Sequence, residues 1–124
     1  MYAAQLEAYH KTQKATMSGR ELEALVLTKA AQKLKDCQAR WTQADRDARL
    51  DEALRFNQKV WSVFQGELSK ADNPLPRKLR EDILSLSAFV DRRVFEVLAY
   101  PSPDKLTALI NINMNLAAGL RGSQ

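Results

Sequence analysis

The run Leu50 to Leu68, LDEALRFNQKVWSVFQGEL, decides the fold class. Within it Leu50, Leu54, Asn57, Trp61, Phe64 and Leu68 recur at steps of 4, 3, 4, 3 and 4. A helix turning every ~3.6 residues brings such positions to one face, whereas a strand would need strict alternation. Asp51 stands four before Arg55, as Asp45 stands four before Arg49. In that order each pair supports an exposed helix by about 0.2–0.5 kcal/mol. Thr42 with Asp45 has the spacing of a helix-start cap, so a kink or short turn is expected near Thr42 to Arg46.

Working toward the N-terminus, Ser18 followed by Glu21 forms a stronger start signal, because each side chain can satisfy a backbone N–H that the first turn leaves open. A helix is predicted to begin at Gly19 or Arg20 and to turn Leu22, Val26, Ala30, Leu34, Cys37 and Trp41 inward, with Lys29, Lys35 and Arg40 opposite. Before it, Tyr2, Leu6, Tyr9 and Gln13 give residues 1–15 a stripe only partly apolar. Such a helix docks loosely or orders only against a partner.

Toward the C-terminus, Lys70 to Arg77 holds Asn73, Pro74, Leu75 and Pro76. Each proline disfavours helix at the preceding residue, so a connection belongs here, and Pro76 suits the first turn of the next helix. From Leu79 the expected stripe is Ile83, Leu86, Val90, Val94 and Val97, with Leu84, Phe89 and Phe95 widening the apolar surface beyond one face. A helix so broadly apolar is either central or covered by a partner. Tyr100 to Pro103 ends it. Ser102 as N-cap, Pro103 as first helical residue and Asp104 near the positive dipole end start another. On that last helix Leu106, Ile110, Asn113, Ala117 and Leu120 share a face flanked by Leu109 and Leu116, and Gly119 or Gly122 is the expected left-handed stop. The chain therefore reads as all-α, a small bundle of four to five helices joined by short connections containing Pro, Gly or Ser, in one domain over residues 1–124.

Composition agrees with that reading. A chain of 124 residues, 45% of them hydrophobic, buries about two-thirds of the surface its unfolded form exposes. Its 19 Lys and Arg against 15 Asp and Glu leave +4, mild and spread along the chain. A single cysteine, Cys37, excludes an internal disulfide and suits a reducing compartment as a buried small side chain. Met1 to Ala15 lacks the basic flank and apolar run of a signal peptide, and no stretch reaches the ~20 apolar residues of a membrane span. The expected location is cytoplasmic, with no membrane contact.

The inventory for chemistry is poor. One histidine, His10, and one cysteine stand far apart, and there is no Gly-rich phosphate loop. No catalytic, cofactor-binding or metal-binding residue is assigned, no small-molecule substrate is expected, and the chain reads as a non-enzyme. Adjacent carboxylates such as Asp51 with Glu52 do not face each other on a helix. The basic group Arg77, Lys78, Arg80, Arg92 and Arg93 is interleaved with Glu81, Asp82, Asp91 and Glu96. A phosphate-holding surface shows an uncompensated stripe instead, which argues against direct nucleic-acid binding.

The order of particular residues adds a resemblance. Asn57, then Val60, Trp61 and Ser62, then Asn73, Leu75 and Pro76, then Leu79, Arg80, Ile83, Leu84, Ser85, Leu86, Phe89 and Val90 make up a pattern similar to that of the FlaF family of alphaproteobacterial flagellar proteins. Leu109, Ile110, Asn113, Gly119 and Leu120 resemble its C-terminal helix, and Ala8, Tyr9, Ser18, Arg20 and Glu21 its N-terminal part. Met114 departs from the pattern, since relatives often carry Arg there.

The resemblance implies a role in coupling flagellin synthesis to export, with flagellin as the client and action opposite FlbT, a regulator of flagellin messenger RNA. Flagellin ends are amphipathic helices before assembly, and a helical groove can cover their apolar face. Candidate contacts are Leu84, Phe89 and Phe95, with Arg80 and Ser85 as polar fixers at the edge and Asn113 from the C-terminal element. Each apolar member can equally complete the bundle core. The alternative function is an RNA-binding, or RNA-complex-associated, regulator of flagellin translation.

Overall fold

A computed structural model describes residues 19–122. It contains helices α1 (Gly19–Ala39), α2 (Arg46–Leu68), α3 (Arg77–Ala99) and α4 (Leu106–Gly122), with a short 3-10 turn (Pro103–Lys105) leading into α4. Among the described residues there is no strand. The expected first helix through Tyr2, Leu6 and Tyr9, together with His10 and the Ser18 cap, lies outside the described residues.

Polar cross-links fix the helix directions. Gln38 at the end of α1 donates from Nε2 to the Pro103 carbonyl at 2.8 Å and the Thr107 hydroxyl at 3.0 Å, and Arg121 reaches the Thr28 hydroxyl at 3.2 Å. Hence α1 and α4 run antiparallel along their lengths. Lys33 with Glu52 at 2.9 Å and Arg49 with Asp36 at 3.2 Å set α2 antiparallel to α1. Gln65 to Ser87, and Arg80 Nη1 to the Lys70 carbonyl at 3.3 Å, set α3 antiparallel to α2.

Helix α1 therefore packs against two neighbours, and it buries more than one stripe. Leu22, Ala30, Leu34 and Cys37 are inside as expected, but Ala24, Leu27 and Ala31 join them while Val26 and Trp41 are only half-buried. Small alanines let two neighbours approach closely. In α2 all six expected positions, Leu50, Leu54, Asn57, Trp61, Phe64 and Leu68, are buried. In α4 the expected five, Leu106, Ile110, Asn113, Ala117 and Leu120, are buried with Leu109. These helices share one continuous core.

Several local signals act differently from their sequence reading. Asp45 is the N-cap of α2 but makes no side-chain cap bond; its carboxylate pairs with Arg49 instead. The turn before it is closed by backbone bonds, Gln43 N–H to Arg40 and Arg46 N–H to Gln43. Ser102 likewise makes no cap bond, and α4 begins only after the 3-10 turn. Pro76 is the residue before α3 rather than within its first turn, and its carbonyl accepts the Arg80 N–H at 3.0 Å. Gly119 lies inside α4 and Gly122 ends it, and no described glycine has positive φ, so neither is a left-handed stop.

Helix α3 is the helix least like its expected form. Ile83, Ser87, Val90, Val94 and Val97 are buried, while Leu79 and Leu86 are exposed. Leu86 and Ser87 straddle the line through the other four by about 50° each. Gln65 on α2 settles the choice, because its amide donates to the Ser87 hydroxyl.

Candidate partner-binding surface and a buried amide ladder

The pattern residues Asn57, Trp61 and Asn113 meet in the interior. Trp61 Nε1 donates to Asn113 Oδ1 at 2.9 Å, and Asn113 Nδ2 donates to Asn57 Oδ1 at 2.7 Å. All three side chains are buried, and Asn57 Nδ2 has no hydrogen-bond partner. The α2 and α4 stripes place them there, since Asn57 and Trp61 are one turn apart on α2. Buried amides fit only where their partners are aligned, so this ladder fixes the register of α4 against α2. Asn113 is thus a core residue and offers no surface to a partner.

A second pattern group organises the connection from α2 to α3. Asn73 donates from Nδ2 to the Glu67 carbonyl at 3.0 Å and accepts the Leu75 N–H on Oδ1 at 3.0 Å. That staple closes the end of α2 and turns Leu75 into the core. Arg80, expected as a fixer at a partner edge, braces the same connection through the Lys70 carbonyl, and its Nε is buried without a partner. Its place is structural.

The remaining candidates lie on α3 but not on one side of it. Leu84 and Phe95 are eleven residues apart, about three turns, and share a flank with Leu98. Phe89 lies on the other flank with Leu86, half-covered by the Arg93 guanidinium 5.5 Å from its ring centroid. Leu84 is half-buried against the core, Ser85 is exposed, and Phe95 is 74% exposed. Sequence reading missed Leu98 and Tyr100, which are 54% and 78% exposed. Tyr100 was read as a helix end, and nothing in its neighbours announces that its ring faces outward.

The charges around α3 are largely compensated. Arg77 pairs with Glu81 at 3.1 Å, Lys78 with Asp82 at 3.0 Å and Arg93 with Glu96 at 3.4 Å. Elsewhere, an open cleft of about 370 Å³ between α1 and α2 is lined by Lys33, Asp36, Arg40, Asp45, Arg49 and Glu52. Its three cations and three carboxylates neutralise one another through ion pairs. The Arg49 hydrogen bond holds the Asp45 carboxyl below its usual range. Burial pushes the Cys37 thiol up, the direction of an unreactive thiol. Glu23 is also raised, by burial first, with Arg20 opposing. Among the described residues no group of three His, Cys, Asp or Glu side chains could hold a metal, and no helix is long and apolar enough to cross a membrane.

A family model described as Flagellar protein FlaF matches residues 5–120. The chain belongs to the FlaF family. That makes it a flagellar protein. No curated protein and no solved structure matches the chain.

Proposed function

We propose that this chain is a non-enzymatic, cytosolic accessory protein that binds flagellin and couples its synthesis to secretion, opposing an FlbT-like regulator. The observation that carries the reading is an apolar surface left at the C-terminal end of α3 of an otherwise well-packed FlaF bundle, formed by Phe95, Leu98 and the Tyr100 that follows the helix. Scattered exposed apolar residues need no explanation, but a contiguous group on one element marks an interaction surface. Unassembled flagellin ends present amphipathic helices, and helix-on-helix burial is the chemistry such a surface supports. Residues that bind, cover and release a client need no reactive centre.

Affinity purification of the tagged chain from cells expressing flagellin tests this. Stoichiometric flagellin, with or without an FlbT-like protein, is the expected result. Recovery of neither defeats it. The regulator of flagellin translation acting directly on RNA is the competing outcome: retention of the flagellin leader RNA, weakening steeply with salt, would replace the proposal. The paired cations of α3 speak against that outcome.

A further inference from the structure

The two ends of α3 are not equivalent, and the C-terminal one is built as an anchor. At its C-terminal corner a shallow cleft of about 500 Å³ is lined by Arg93, Phe95, Glu96, Ala99, Tyr100 and Lys105. Tyr100 is held although it is exposed. Its N–H donates to the Glu96 carbonyl at 3.0 Å, and Lys105 Nζ donates to the Tyr100 carbonyl at 2.6 Å and to the Glu96 carbonyl at 3.3 Å. The same ammonium lies 5.6 Å from the centroid of the Tyr100 ring. The ring is therefore displayed on a braced backbone, with Phe95 on the adjoining turn. Pre-ordered aromatic rings lose little entropy on binding, as interface anchors require.

The size of the patch selects its occupant. With ~200 Å² available to a full aromatic side chain, Phe95 and Tyr100 expose on the order of 300 Å², and Leu98 brings the patch to about 400 Å². A stable pair of identical chains needs about 800 Å² from each partner, roughly 65% of it apolar in homodimers, so this apolar patch falls short of what a second copy needs. One amphipathic helix, which sets apolar side chains at i, i+3 or i+4 into a groove, matches that scale. We propose that the Phe95–Leu98–Tyr100 corner, with the cleft beside it, is the docking site for a single amphipathic helix of the client. This rests on the flagellin reading above and assigns the contact to the C-terminal corner of α3, leaving Leu86 and Phe89 outside it.

Titration calorimetry with monomeric cognate flagellin separates the two claims. Phe95→Ser and Tyr100→Ser should each weaken binding about tenfold or more. Leu86→Ser, equally apolar but outside that corner, should change it less than about twofold. Binding by the unsubstituted chain that is unaffected by Phe95→Ser and Tyr100→Ser overturns the docking site and leaves the flagellin reading standing. No binding by the unsubstituted chain overturns both. A concentration-dependent dimer in sedimentation that Phe95→Ser abolishes assigns the patch to a second copy instead and also overturns the proposal. Hydrogen exchange of the unsubstituted complex gives a readout free of folding effects: added flagellin should slow exchange across residues 93–105, and no slowing there counts against the site.

Discussion

Replacing Asn113 with alanine should destabilise the bundle out of proportion to the atoms removed. Its side chain accepts from Trp61 at 2.9 Å and donates to Asn57 at 2.7 Å, so truncation strands a buried indole N–H and a buried amide oxygen together. Each stranded group costs about 1–3 kcal/mol. Asn57 already carries one unpartnered amide nitrogen, which leaves that residue with no hydrogen bond from its side chain. The expected loss is therefore on the order of 2–5 kcal/mol, a large part of the ~5–15 kcal/mol that holds a domain of this kind together. Trp61→Phe removes the indole donor and strands the Asn113 oxygen. In the double variant neither the stranded indole N–H nor the stranded Asn113 oxygen arises, so its loss should fall short of the sum of the two single losses by about 2–3 kcal/mol. Urea unfolding followed by far-ultraviolet circular dichroism measures all four species. Losses that add to within ~0.5 kcal/mol would falsify the ladder as a cooperative unit.

Val94→Ala should cost on the order of 2 kcal/mol, whereas Leu86→Gln should stay within about 0.5 kcal/mol, because only the first is buried; thermal melts showing the reverse would mean that α3 is rotated. Cys37 should resist a thiol reagent in the native chain and react in denaturant, and rapid native labelling would show that α1 opens locally. Glu23→Gln should stabilise at neutral pH: burial raises the folded pKa, so the charged form is disfavoured in the fold and stability falls as pH rises through that value. The gain should vanish below about pH 4, where the carboxyl is protonated in both states, and a gain that persists there contradicts burial as the cause. Asp45 behaves oppositely. Its lowered pKa makes the Arg49 contact a stabiliser that is lost as pH falls through the folded value, so Asp45→Asn should lower the melting temperature at pH 7 and not at the acid end.

Much of the fold was legible in the chain. The steps of 4 and 3 named six of the nine buried positions of α2, leaving out Ala53, Phe56 and Val60, and five of the six of α4, because periodicity reports the centre of a packed face directly and its width only through the neighbours. The starts at Gly19 and Arg46 and the break across Asn73 to Pro76 were also readable. The FlaF pattern, too, stood in the residues themselves. Less of the candidate surface could be read: of the six residues first considered, Asn113 is internal, Arg80 braces a connection, and Leu84 and Phe95 stand on a flank apart from Phe89.

Tertiary contacts decided the rest. Periodicity locates a helix face only to within about one residue, some 100° of rotation, so α3 could have turned either Leu86 or Ser87 inward. Gln65, 22 residues earlier in the chain, supplied the partner that made serine the buried choice. In the same way the spacing puts Asn113 on the packed face of α4, but an amide can be buried there only because Trp61 and Asn57 arrive from another helix to pair it. Local sequence sets which residues can share a face. Hydrogen-bond partners brought by distant segments set which polar groups that face can bury and which apolar ones, Phe95 and Tyr100 here, remain outside.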